Sequence, residues 1–311
     1  MYWYFIPLVI LLTSQATAQV YIPKFDLQGH RGARGLKPEN TIPSFITALN
    51  YGVTTLEMDV VITKDNQLIL SHEPWMSAEI CLKQDSTAIG IKEEKTFNIY
   101  QLLYSDILLF DCGSKGNPRF PEQEKTVAHK PLLRDAIVAI ENHIKSYSQY
   151  EVDYNIEIKS AKTGDNKFHP SPEEYSDFVY QLIDQYLPWE RVVIQSFDFR
   201  VLKYWNKKYP HVRLAALVEK RPNPKAARDA LNTLGFTPSI YSPDYVLVDK
   251  ATIDLMHQKK IRVIPWTVNE KEDMKRLKSW GVDGIITDYP NRAAEMGLGI
   301  KRNGNTKNNG K

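Results

Sequence analysis

Large excess charge is absent from this 311-residue chain: 40 basic residues stand against 37 acidic ones, a formal +3. No basic stripe stands out before the extreme C-terminus, which argues against a nucleic-acid partner. Affinity for an anionic ligand must therefore come from a local site. Long apolar runs are scarce as well. The one that stands out, Tyr2–Leu12, is too short for a comfortable membrane span. It passes through Thr13, Ser14 and Gln15 into Ala16-Thr17-Ala18, a small-x-small triplet, and reads as a secretory signal cleaved after Ala18. Its leading residues lack the usual Lys or Arg, which leaves an uncleaved N-terminal anchor as the alternative. No cysteine lies near the cleavage point, which argues against a lipoprotein. The expectation is an exported protein, periplasmic or secreted, with no stable membrane insertion after cleavage.

Cysteine is nearly missing, with only Cys81 and Cys112 in one later segment. In an oxidising compartment the two can pair and close a loop, contributing about 3 kcal/mol. Two separate thiols are the alternative, because spacing does not show whether the Cβ atoms meet.

What is present is ordinary globular material: 42% hydrophobic and 25% charged residues, enough for one large core or two modest ones. Short segments rich in Val, Ile and Leu predict strands at Phe25–Arg31, Thr54–Thr63, Asp153–Ser160, Arg191–Phe197, Arg213–Glu219, Tyr245–Val248, Arg262–Val268 and Gly284–Asp288. Helical patterns fall between them at Thr41–Asn50, Leu132–Ser148, Pro172–Leu187, Phe199–Lys208, Asn223–Leu234, Ala251–Lys259 and Lys271–Trp280. This α/β alternation of eight strands with helices favours a closed parallel (β/α)8 TIM barrel over an open sheet. Residues 73–130 break the rhythm and are too long for a bare loop, so they read as a small inserted subdomain after the second strand. The division expected is a signal at 1–18, a barrel domain at 19–300 and a polar, disordered tail at 301–311.

In such a barrel, working side chains stand at the C-terminal ends of strands. Gly29-His30-Arg31-Gly32 ends the first strand, with glycines that permit a sharp turn and a guanidinium whose planar fork suits phosphate. The plainer alternative is a turn with a satisfied histidine and a surface arginine. On the second strand, Glu57 and Asp59 are spaced i, i+2 and share a face. Their repulsion is relieved by a cation, and apolar neighbours Leu56, Val60 and Val61 argue against a solvated face. A turn at 64–67 returns the chain through Leu68–Leu70 to His72, which can act opposite His30 as the second of an acid/base pair. Taken alone, that histidine reads as structural. Glu157 and Lys159 on the third predicted strand again share a face, adding one oxygen ligand and one positive charge for a phosphoryl oxygen. Without Cys or paired-His ligands, Mg²⁺ or Ca²⁺ is preferred to zinc. Trp266 reads equally as the floor of a substrate pocket and as a packed barrel tryptophan.

Taken together, HRGARGLKPENT (30–41), LEMDVVITKDNQLILSHEP (56–74), NIEIK (155–159), QSFD (195–198), PWTVN (265–269) and DGIITDYP (283–290) resemble the glycerophosphodiester phosphodiesterase family. The resemblance implies a TIM barrel whose Ca²⁺ or Mg²⁺ is held by Glu57, Asp59 and Glu157. It implies His30 and His72 as catalytic acid and base, and Arg31 and Lys159 as phosphate contacts. The substrate implied is a small glycerophosphodiester such as glycerophosphocholine or glycerophosphoethanolamine, cleaved to glycerol 3-phosphate and an alcohol. Three rivals stand beside it: a phospholipase of related barrel type acting on lysophospholipid or phosphoinositide, a non-catalytic phosphate-binding barrel, and a sugar-processing barrel hydrolase with a carboxylate pair.

Overall fold

The computed structural model describes residues 24–300 apart from 149 and 220–228; the expected signal at 1–18 and tail at 301–311 lie outside the described residues. Strand β2 (Thr55–Ile62) is buried at every position, as a parallel strand covered on both faces must be. It pairs in parallel with β1 (Asp26–Gly29) on one side and β4 (Asp153–Ile158) on the other. From β4 the sheet continues through β5 (Val192–Ser196), β6 (Arg213–Val218), β7 (Ile240–Pro243) and β8 (Arg262–Val263), while β9 (Gly284–Thr287) pairs with β1. Backbone hydrogen bonds close the ring between the two ends: Asp283 donates to Val263, Ile286 to Pro265 and Val268 to Ile286. Eight parallel strands thus form a nearly closed TIM barrel, and β3 (Leu68–Leu70) pairs antiparallel with the far end of β2.

Helices cover the outside: α1 (Ile42–Asn50), α3 (Leu133–His143), α4 (Pro172–Tyr186), α5 (Phe199–Lys208), α6 (Lys250–Gln258), α7 (Lys271–Trp280) and α8 (Pro290–Glu295), with a short α2 (Tyr104–Ile107) in the long excursion after β3. Their starts are chemically marked. Thr41, Ser171, Asp198 and Asp249 each accept a backbone N–H of the first helical turn. Strand residues Leu56, Met58, Tyr154, Ile156 and Ile194 join the helices in the main core. The alternate positions face the barrel axis, where Val193, Ala215, Ile240, Ile264 and Ile286 make a small apolar plug. Above that plug the inward positions turn polar, and the site begins.

Three expected elements are corrected. Tyr245–Leu247 is a 3₁₀ turn, and the strand is the preceding Ile240–Pro243. The Asp244 carboxylate accepts from the Val246 N–H and nucleates the turn, while Ser and Pro disguise the true strand. In the stretch Arg262–Val268, only Arg262 and Val263 form a ladder. The first half of the expected helix Asn223–Leu234 lies outside the described residues, and Ala230–Thr233 is a 3₁₀ turn.

Residues 73–130 contain little regular structure yet carry a core of their own. Met76, Ile80, Cys81, Ile89, Ile99, Ile107 and Cys112 pack together against Val61, Ile69 and Leu132 of the barrel side. Cys81 and Cys112 form a disulfide across a separation of 31 residues, a loop whose closure is worth about 3–4 kcal/mol on chain-entropy grounds.

Candidate active site

The end of β1 sets the first part of the site. Gly32 takes φ +84°, and a Cβ there would lie 2.6 Å from the Ser44 carbonyl carbon, so only glycine lets α1 approach this turn. The turn aims the His30 imidazole and the Arg31 amide inward. Arg31 N–H donates to Glu57 Oε2 at 2.9 Å, and His30 Nε2 lies 4.0 Å from the same oxygen. On its other side, His30 Nδ1 meets Asp288 Oδ1 at 2.7 Å, at the end of β9. Arg34 holds that aspartate through both carboxylate oxygens, at 2.8 and 3.1 Å.

Ladder register assembles the carboxylates. Glu57 stands beside Asn155, and Asp59 beside Glu157, across the β2–β4 pair. Residues so paired share a face, and ligand oxygens of Glu57, Asp59 and Glu157 lie within 4.8 Å of one another in full burial. Electrostatics records the conflict. Burial, then the charges of Asp59 and Glu157, push Glu57 well above the usual carboxylate range. Burial and Asp59 push Glu157 up to about 7 against the opposing pull of Lys159. Asp59 goes the other way: burial opposes its ionisation, but the Arg31 and Lys159 charges override it and hold it well below its usual value.

Partners around the triad orient it. Gln195 Nε2 donates to Glu57 Oε1 at 2.8 Å, and Asn155 Nδ2 reaches Gln28 and Gln195. Asn40 Nδ2 donates to Asp59 Oδ2 at 2.9 Å. The other oxygen, Asp59 Oδ1, is buried with no hydrogen-bond donor, and the Lys159 ammonium stands 3.7 Å off. Three converging carboxylates, one with an orphaned oxygen, fit a hard divalent cation. Lys159 Nζ meanwhile binds Glu157 Oε1 at 2.7 Å.

Antiparallel return through β3 brings His72 to the same mouth, with its Nδ1 on Glu73 Oε1 at 2.8 Å. Burial, then the Arg31 and Lys159 charges, depress His72 well below the ordinary imidazole value. Burial and Arg34 lower His30 to about 4 despite Asp288. Both rings are therefore neutral near pH 7. A cavity of about 510 Å³ is lined by His30, Arg31, Glu57, His72, Glu157, Lys159 and Trp266 among others. The structure thus gathers every residue singled out from sequence: seven line this cavity, and Asp59 lies within ligand reach of Glu57 and Glu157. Arg31 differs from expectation in one respect. Its guanidinium is engaged by Glu39 at 2.8 Å and Asp59 at 3.1 Å, so fewer of its donors face the cavity.

A match to the glycerophosphoryl diester phosphodiesterase family model runs over residues 30–292. The chain belongs to that family. A glycerophosphodiester phosphodiesterase of Bacillus subtilis (strain 168) is 30% identical over 267 residues, covering 84% of this chain and 82% of the relative. Among solved structures, a Silicibacter pomeroyi DSS-3 protein provisionally assigned to the same class superposes with TM-score 0.75 at 26% identity, over 89% of this chain and 94% of its own. An Oleispira antarctica phosphodiesterase, solved with the product sn-glycerol-3-phosphate, gives TM-score 0.67 at 21% identity, over 88% and 96%. The hydrogen bonds around the site extend it to residues to which motif reading gave no role. Asp288, Glu73, Asn40 and Gln195 each lay inside a quoted motif, but nothing local named their partners.

Proposed function

We propose that this chain hydrolyses glycerophosphodiesters to glycerol 3-phosphate and an alcohol, using a Ca²⁺ or Mg²⁺ ion held by Glu57, Asp59 and Glu157. The observation that carries the reading is the convergence of those three carboxylates on one point, in a cavity that His30 and His72 also line. A bound divalent ion would supply Lewis-acid polarisation of a phosphoryl oxygen. The protein's own residues do the rest. Both imidazoles spend Nδ1 on a carboxylate, Asp288 or Glu73, which leaves Nε2 as the atom that exchanges a proton. One Nε2 takes the proton of the attacking oxygen as it bonds to phosphorus; that oxygen is a water's, giving glycerol 3-phosphate directly, or the neighbouring glycerol hydroxyl's, giving a cyclic phosphate that water then opens. The other gives a proton to the departing alkoxide as the P–O bond to the alcohol breaks. An anionic diester between them offsets the Arg31 and Lys159 charges that depress His72, and so favours the imidazolium needed for the second step. Lys159 and Arg31 stabilise the charge that accumulates on the phosphoryl oxygens. Trp266, whose Nε1 is fixed to the Ser242 carbonyl at 2.9 Å, packs edge-on to Phe197 and offers an apolar wall to the carbon skeleton.

The deciding assay is turnover of glycerophosphocholine, glycerophosphoethanolamine and lysophospholipids side by side. Soluble diesters are expected to be cleaved, with glycerol 3-phosphate as product. Release of product from lysophospholipids alone would replace this reading with its lipid-directed relative.

Export is part of the same proposal. The Tyr2–Leu12 run with Ala16-Thr17-Ala18 supports it, and so does the Cys81–Cys112 disulfide, which persists in oxidising compartments. Mass measurement on the expressed full chain should find Gln19 at the N-terminus; a retained Met1 would speak for an anchor.

A further inference from the structure

The chain leaving residues 73–130 runs beside β3 before entering α3: Leu132 bridges to Ile69, and the Leu70 N–H donates to the Pro131 carbonyl at 2.9 Å. This pairing carries Lys130 beneath the turn that holds His72. Its side chain is 7% exposed, and Nζ donates to Ser71 Oγ at 2.8 Å. Ser71 Oγ in turn donates to the Glu73 carbonyl at 2.6 Å, and the Ser71 N–H donates to the Asp59 carbonyl at 3.0 Å. While the ammonium donates to its oxygen, the Ser71 hydroxyl commits its one proton to the Glu73 carbonyl. The turn is stitched at both ends, and His72 stands in the middle with its ring on the Glu73 carboxylate.

Burying an ammonium is costly unless an anion pairs with it. Among the described residues no carboxylate forms an ion pair with Lys130, and burial pulls its pKa down to about 8 against the raising charges of Glu39, Glu73 and Asp59. A methionine of similar length would cost less. Lys130 also borders a side chamber of about 170 Å³ that His72, Glu73, Arg31, Arg34 and Arg119 help to line. A residue so expensive to bury, linked to the acid/base turn through one hydroxyl, points away from simple packing.

We propose that Lys130 is a positioning residue for His72, acting through Ser71 to fix the turn that aims the imidazole at the substrate. The inference rests on the phosphodiesterase reading. Misplacing a catalytic group by about 1 Å can cost 10²-fold, so Lys130→Met is expected to lower kcat on glycerophosphoethanolamine by about 10- to 100-fold. KM should stay within about threefold and Tm should not fall, because a buried charge with no ion-pair partner is removed. Ser71→Ala breaks the same link with a smaller change and should move kcat in the same direction. Because both act along one path, the K130M/S71A double variant should lose no more than the worse single variant.

A raised KM with unchanged kcat in K130M would overturn the proposal by making Lys130 a substrate contact. So would wild-type kcat in both single variants, or multiplying losses in the double. Should K130M fail to fold, wild-type kcat in S71A alone would still refute it. Absent wild-type turnover would instead undo the phosphodiesterase reading.

Discussion

His30→Ala and His72→Ala are each expected to lower kcat by about 10²–10⁴-fold while leaving cation affinity largely intact. The two rings are far apart in sequence, one following β1 and the other following β3, yet they share one cavity. Each is held by a carboxylate on Nδ1, so neither needs its position to hold a metal ion. Removing one therefore deletes a proton-transfer step but not the triad. Steady-state kinetics together with calorimetric titration of Ca²⁺ or Mg²⁺ separates the two effects. Near-normal kcat in either variant would exclude that ring from acid/base work. Loss of cation binding would instead place the ring among the ligands.

Stripping divalent ions with excess chelator is expected to reduce turnover by about 10³-fold or more, and added Ca²⁺ or Mg²⁺ to restore it. The physical reason lies in Glu57 and Glu157, both held above the usual carboxylate range by burial and by the charge of Asp59. A cation between them removes the repulsion and gives the orphaned Asp59 Oδ1 a partner. Binding also stabilises the folded state: at about 100 times Kd the gain is about 2.7 kcal/mol, seen as a rise in Tm that needs no substrate. Glu57→Gln should abolish both the rise and the activity. Full activity in excess chelator, or a Tm indifferent to divalent ions, would defeat the metal assignment.

Some of this was legible before any coordinates. A strand has a side-chain period of two, so Glu57 and Asp59 had to share a face, as did Glu157 and Lys159. Apolar Leu56, Val60 and Ile158 committed the opposite face to the core, and the carboxylates therefore to the barrel interior. Strand ends marked by His30 and Lys159 told which end of the barrel would work. Local signals also misled. Tyr-Val-Leu-Val at 245–248 has strand composition, but a single carboxylate at Asp244 turns it into a 3₁₀ segment and moves β7 upstream.

Period and composition along one strand decided which residues look inward, because side-chain direction is a local property of the backbone. They did not decide which strand lies beside which, nor in what register. That Asp59 stands opposite Glu157 depends on β2 and β4 meeting after the whole 73–130 excursion. That Asp288 backs His30 across 258 residues depends on β9 closing onto β1. Lys130 under His72 is likewise a product of the chain's return beside β3. Such partners are chosen by backbone hydrogen bonding and burial across the closed barrel, which act between distant segments and leave no mark on the residues' own neighbours in sequence.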